Sequence, residues 1–87
     1  MRVTIISPER AVYDGEATAV VAPAYDGEVG ILPRHAPFMT LIGSGRLLVR
    51  RGVETAAFQV RGGFLQVRND TVRVVAENVQ EGGQNGK

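Results

Sequence analysis

The stretch Phe64-Leu-Gln-Val-Arg-Asn-Asp-Thr-Val-Arg-Val-Val-Ala-Glu-Asn-Val-Gln-Glu81 is the longest part of the chain without glycine or proline. On each side of Asn69-Asp70, its apolar residues recur at every second position. These residues are Leu65, Val67, Val72, Val74 and Ala76. A period of two is typical of a strand with one buried face, and Asn-Asp favours a tight turn. The stretch therefore predicts two strands that are joined at Asn69-Asp70.

The same alternation recurs in four shorter windows, which end near a proline or a glycine. They are Val3-Ile5, Ala17-Ala19-Val21, Leu47-Val49 and Ala56-Phe58-Val60. Eleven glycines and four prolines are spread along the chain, so few windows have room for a helix. Polar residues at the alternate positions suit the solvated face of an antiparallel sheet. We therefore predict an all-β fold, a small antiparallel β-sandwich or flattened barrel of about 8–10 short strands.

The chain has the length of one domain, and its last residues differ in composition from the rest. From Gln80 to Lys87 there is no apolar residue that could anchor the backbone to a core. We expect a single β-sandwich domain over residues 1–79 and a flexible polar tail over residues 80–87.

Composition excludes several classes of protein. There are no cysteines, which excludes disulfides, thiolate metal sites and cysteine nucleophiles. Ten basic and nine acidic residues give a net charge of +1, which does not favour binding to nucleic acid. The short apolar run before Pro8 is typical neither of a signal peptide nor of a membrane span. We therefore expect any membrane association to be indirect, through a partner.

No set of residues predicts catalysis. His35 is the single histidine, so it has no second imidazole with which to hold a metal ion. The acidic pairs Asp14 with Glu16 and Asp26 with Glu28 are flanked by glycines, which favours a role in turns. We predict no catalytic residue, no cofactor and no metal site. A free-standing sandwich that binds carbohydrate, or RNA through its nine arginines, stays open as an alternative.

The segment Gly27 to Pro37, GEVGILPRHAP, carries the most unusual pattern in the chain. Gly30 between two apolar residues predicts a β-bulge or a close backbone approach, and Pro33 and Pro37 stiffen the loop that follows. On pattern alone this loop either recognises a partner or simply closes one end of the sandwich.

Together with VTIISPERAVYDGEATAVVAP at residues 3–23 and VRGGFLQV at residues 60–67, this segment resembles the N-terminal β-sandwich of the epsilon subunit of F-type ATP synthases. That subunit is equivalent to the mitochondrial delta subunit, and the resemblance covers residues 2–79. It implies a non-catalytic subunit of the central stalk. Such a subunit docks on the gamma subunit and on the c-ring, among the other subunits, and couples proton-driven ring rotation to ATP synthesis.

The resemblance also implies a location and a set of contact residues. The location is peripheral, on the cytoplasmic face of the plasma membrane or the equivalent face of an organellar or thylakoid membrane. Glu28 and Gly30 would lie at the c-ring end, with Arg34, His35 and Ala36 near the gamma and ring contacts.

At three points the sequence departs from the family pattern, and the functional roles implied by the resemblance are not carried over there in the same form. Gln66 stands where an acid is common, and Arg34 stands where a small residue or glycine is common. Most bacterial members continue into an α-helical hairpin that inhibits ATP hydrolysis, whereas this sequence finishes with EGGQNGK. We therefore expect no such inhibition from these residues, whether the chain is short by nature or is part of a longer protein.

Overall fold

The computed structural model describes residues 1–82, which form eight β-strands. The strands are β1 (Arg2–Ile6), β2 (Ala11–Glu16), β3 (Ala19–Ala24), β4 (Gly27–Ile31), β5 (Phe38–Leu41), β6 (Ser44–Arg51), β7 (Glu54–Arg68) and β8 (Thr71–Glu81). Within these residues there is no helix long and apolar enough to cross a bilayer. The all-β prediction and the predicted number of strands are confirmed.

Two long strands build both layers of the sandwich. The strand order is β2-β1-β8-β7-β6-β3-β4, and β5 pairs with the second half of β7. Residues 54–61 of β7 pair with β6, whereas residues 63–68 pair with the first half of β8. The first layer thus holds β4, β3, β6, the first half of β7 and the end of β8. The second layer holds β2, β1, the first half of β8, the second half of β7 and β5.

Strand β7 crosses from the first layer to the second at Gly62 and Gly63. Both glycines have positive φ, 73° and 102°, which L-residues with a side chain rarely adopt. The register of β7 against β8 is the same on both sides of this point, from Arg61 opposite Asn78 to Gly63 opposite Ala76. The two glycines therefore bend the sheet without a bulge.

One hydrophobic core fills the space between the layers. Its fully buried members include Val20, Leu47 and Val49 from the first layer and Leu65 and Val74 from the second. Burial of each aliphatic side chain of this size contributes about 1.5–3 kcal/mol relative to exposure. The core explains why so short a chain forms two layers.

The alternation around Asn69-Asp70 correctly predicts the β7–β8 hairpin. Asn69 and Asp70 have φ of 52° and 58°, and positive φ at both central residues is what a two-residue type I′ hairpin turn requires. The five apolar residues identified in this stretch are all buried. Strand β8 runs to Glu81, two residues beyond the boundary expected at Val79, and the predicted tail residues 83–87 lie outside the described residues.

Two details of the sheet differ from the expectation. Strand β3 buries Val20 and Ala22, whereas Ala19 and Val21 lie on the opposite, outer face. The predicted orientation was wrong because four consecutive apolar residues give no alternation. The sheet is also not purely antiparallel, since β1 pairs with β8 in parallel. A parallel pair needs a long crossover, and here the whole of β2 to β7 provides it.

Candidate interaction surfaces

Glu28 and Gly30 lie side by side on the outer face of the edge strand β4. Val29 and Ile31, the residues between and after them, turn inward, so Glu28 and Gly30 are exposed. The predicted bulge at Gly30 is wrong, because β4 pairs with β3 in an unbroken register from Gly27 to Ile31. A Cβ atom on Gly30 would meet no atom within 4 Å, so there is no close approach either.

Residues 32–37, which we call the 32–37 loop, carry the other three predicted contact residues. Arg34 and Ala36 are exposed, and His35 is half-buried. The His35 backbone N–H donates to the Leu32 carbonyl at 3.1 Å, and the imidazole Nδ1 lies 2.7 Å from the Ala36 carbonyl oxygen. The ring also packs edge-on against Phe38, with ring centroids 5.6 Å apart. His35 therefore links this loop to β5.

The five predicted residues are spread along β4 and the loop that follows it. Glu28 is opposite Pro23, next to the turn at Tyr25-Asp26, whereas Gly30 is one residue before the end of β4, where the 32–37 loop begins. Because a strand rises about 3.3 Å per residue, Glu28 is about 10 Å from that end of the strand. The structure does not bring all five residues into one site.

An open groove lies between β4 and β5, the neighbouring edges of the two layers. Its volume is about 760 Å³. Val29 and Phe38 line its floor, and the exposed side chains of Tyr25, Met39 and Leu41 line its rim. Of the five predicted residues, only Glu28 lies at its border.

The groove continues into an apolar band on the outer face of the second layer. The sheet register places Ile6 opposite Val75, Val75 opposite Phe64, and Phe64 opposite Leu41. We call these four residues the apolar band. Their neighbours Ile5, Val74 and Leu65 are fully buried, so Ile6, Val75 and Phe64 turn outward. One face of the sandwich thus presents four apolar side chains in a row across four strands.

Sequence reasoning missed this band, although a signal was present. Phe64 and Val75 stand at positions that the alternation assigns to the solvated face, where polar residues are expected. Two such apolar residues form one patch only if they lie opposite each other in the sheet. The sequence does not give the register of the strands, so it does not predict the patch. Exposed apolar patches of this kind mark interaction sites.

Asp26 and Glu28, which we call the acidic tip, flank the β3–β4 turn, and neither makes an ion pair with another residue of 1–82. Within the same residues no three carboxylate or imidazole side chains are close enough to hold a metal ion together. The exposed ion pairs, such as Arg2 with Asp14 at 2.8 Å, are of a kind that contributes at most about 1 kcal/mol.

The fold and these surfaces define a small β-sandwich with an apolar groove, an apolar band and an acidic tip. A family model described as "ATP synthase, Delta/Epsilon chain, beta-sandwich domain" matches residues 1–82. The chain therefore belongs to this family. The alternative of a free-standing carbohydrate- or RNA-binding module is set aside on this finding.

Relatives in two bacteria support the assignment. The ATP synthase epsilon chain of Dehalococcoides mccartyi is 42% identical over 80 residues, which cover 92% of this chain and 57% of the relative. The epsilon chain of Caulobacter vibrioides is 37% identical over 78 residues, which cover 90% of this chain and 91% of the relative. The chain thus spans little more than half the length of the first relative.

Solved structures share the fold. A chain of the Euglena gracilis mitochondrial ATP synthase (OSCP/F1/c-ring, rotational state 1) aligns with a TM-score of 0.84 at 21% identity, covering 91% of this chain and 51% of that one. A chain of the Tetrahymena thermophila mitochondrial ATP synthase (central stalk and c-ring) aligns with a TM-score of 0.76 at 18% identity, covering 92% of this chain and 65% of that one.

Proposed function

We propose that this chain is the β-sandwich domain of a non-catalytic central-stalk subunit of an F-type ATP synthase. In this role it docks on the gamma subunit and the c-ring and helps to couple ring rotation to ATP synthesis. Membership of the delta/epsilon family supports the proposal. The observation that carries it is the outward-facing apolar band, in which Leu41 is exposed and Ile6, Phe64 and Val75 are partly exposed, because a contiguous apolar surface of this kind marks an interaction site.

The gamma subunit is proposed to bind the apolar band. A subunit that transmits torque needs a lasting interface, and lasting interfaces have an apolar centre with a polar rim. The band offers such a centre, and an adjacent row of polar residues, Thr4, Arg73 and Gln66, runs parallel to it as one side of the rim. Gln66, where the family commonly has an acid, therefore lies beside the proposed interface.

The c-ring is proposed to contact the acidic tip. Asp26 and Glu28 are exposed, and their carboxylates have no ion-pair partner within residues 1–82. Carboxylates in this position pair well with basic groups on a polar loop of the ring. The acidic tip adjoins the apolar band at Leu41, whose carbonyl oxygen accepts the N–H of Tyr25 next to Asp26, so the ring contact and the gamma contact are proposed to be neighbours.

The proposal includes a location. A domain that binds gamma and the c-ring belongs to a membrane-associated complex, and it reaches the membrane only through the ring. We propose the cytoplasmic face of the plasma membrane, or the equivalent face of an organellar or thylakoid membrane.

Glu28→Gln is expected to weaken retention of the chain on purified c-ring by about two- to fivefold at low salt, as for an exposed ion pair. The difference from the unsubstituted protein should shrink as ionic strength rises, because salt screens exposed charges. Pull-down with assembled c-ring over a salt series measures both effects. Glu54→Gln, which removes the same charge at the β6–β7 turn, is the control and is expected to change nothing. Equal retention of Glu28→Gln and unsubstituted protein at every salt concentration contradicts the assignment of Glu28.

A further inference from the structure

Arg34 has a backbone conformation that an arginine rarely adopts. Its φ is 68°, in the left-handed region, where a residue with a side chain is strained because its Cβ approaches the backbone. Glycine carries no such penalty. Something else in the molecule must therefore hold the backbone of the 32–37 loop at this residue.

The side chain of Asp70 supplies that restraint. The Arg34 backbone N–H donates to Asp70 Oδ1 at 2.8 Å, across 36 residues of sequence. A hydrogen bond to a carboxylate is among the stronger types in proteins. Within residues 1–82, no other hydrogen bond joins the 32–37 loop to a segment that is distant in sequence.

Asp70 also meets the start of the chain. Its carbonyl oxygen accepts the Arg2 backbone N–H at 3.1 Å, and Oδ2 lies 3.9 Å from the amino group of Met1. The β7–β8 turn thus contacts both the 32–37 loop and the beginning of β1. Because the turn belongs to the longest hairpin of the sandwich, it is a firm point of attachment.

We propose that Asp70 is a positioning residue, which fixes the 32–37 loop in the conformation that presents Arg34, His35 and Ala36 to a partner. That a partner binds there rests on the function proposed above. The restraint itself is a property of the isolated domain and is testable without any partner.

The test compares Asp70→Gly with Asn69→Gly. Both residues have positive φ, so glycine suits either position of the turn, and the hairpin is expected to stay folded. Only Asp70→Gly removes the acceptor for the Arg34 N–H. Amide hydrogen exchange of the Arg34 N–H, measured by NMR, is expected to become about tenfold faster or more in Asp70→Gly and to stay unchanged in Asn69→Gly. Asp70→Asn keeps an uncharged oxygen acceptor and is expected to lie between.

Slow-exchanging core amides, such as that of Leu65, report whether each variant remains folded. Equal exchange at Arg34 in Asp70→Gly and Asn69→Gly overturns the proposal, and so does Asp70→Asn exchange as fast as that of Asp70→Gly. Association with gamma and c-ring is measured separately on the same variants. If even the unsubstituted protein binds neither, the proposed function fails while the positioning result stands.

Discussion

Gly63→Ala is expected to lower the free energy of unfolding by at least about 3 kcal/mol, or to prevent folding altogether. A Cβ atom at this position would overlap the Val75 carbonyl oxygen and stand 2.8 Å from the Ala76 Cα. Both are backbone atoms of the paired strand and cannot move aside as a flexible side chain would. The φ of 102° adds strain for any residue but glycine.

The measurement is chemical denaturation followed by circular dichroism, on a domain small enough to unfold in one step. Gly30→Ala is the matched control, because its Cβ would meet no atom within 4 Å. That variant is expected to unfold within about 0.5 kcal/mol of the unsubstituted protein. Similar stability of the two alanine variants would contradict the account of the bend between the layers.

Leu41→Glu is expected to weaken binding to the gamma subunit by about 30-fold or more, as for a central interface residue. Leu41 is 62% exposed, so its replacement removes little from the core. It also stands at the point where the apolar band meets the groove between β4 and β5. A carboxylate buried there by a bound partner would lose its water without gaining a counter-charge.

Isothermal titration of purified gamma with each variant measures this effect. Gln59→Glu adds the same charge to the outer face of the first layer, away from the band, and is expected to bind as the unsubstituted protein does. Thermal unfolding confirms that both variants are folded. Unchanged affinity in Leu41→Glu, or an equal loss in Gln59→Glu, would contradict the assignment of gamma to the apolar band.

Local patterns in the sequence predict those parts of the fold where the core-facing positions are apolar and most of the positions between them are polar. The β7–β8 hairpin is such a part, because Leu65, Val67, Val72 and Val74 each follow a polar or outward residue and Asn69-Asp70 accepts positive φ. Strand β3 is the counterexample. Apolar residues fill it on both faces, so only the packing of the finished sandwich selects Val20 and Ala22 for the core.

The candidate surfaces cannot be predicted from one local segment, because they depend on how distant strands pair. The apolar band requires the register of β1, β8, β7 and β5, which are distant in sequence. Gly30 looked like a bulge because glycine in a strand commonly marks one, yet here it lies in regular β-structure at a free edge.

The departure at Arg34 now has a structural basis. The left-handed φ at this position is one that glycine, the residue that the resemblance leads one to expect there, adopts without a penalty. In this chain the Asp70 carboxylate holds the backbone of an arginine in the same conformation. The substitution and its restraint lie 36 residues apart, so sequence inspection alone does not connect them.

The central claim is that this domain binds gamma through the apolar band and the c-ring through the acidic tip. Co-purification of the untagged chain with tagged gamma and, separately, with tagged c-ring tests it most directly. The account predicts recovery with both, loss of gamma alone in Leu41→Glu, and weaker, salt-sensitive retention on the ring alone in Glu28→Gln. Failure of the folded, unsubstituted chain to co-purify with either partner would contradict it.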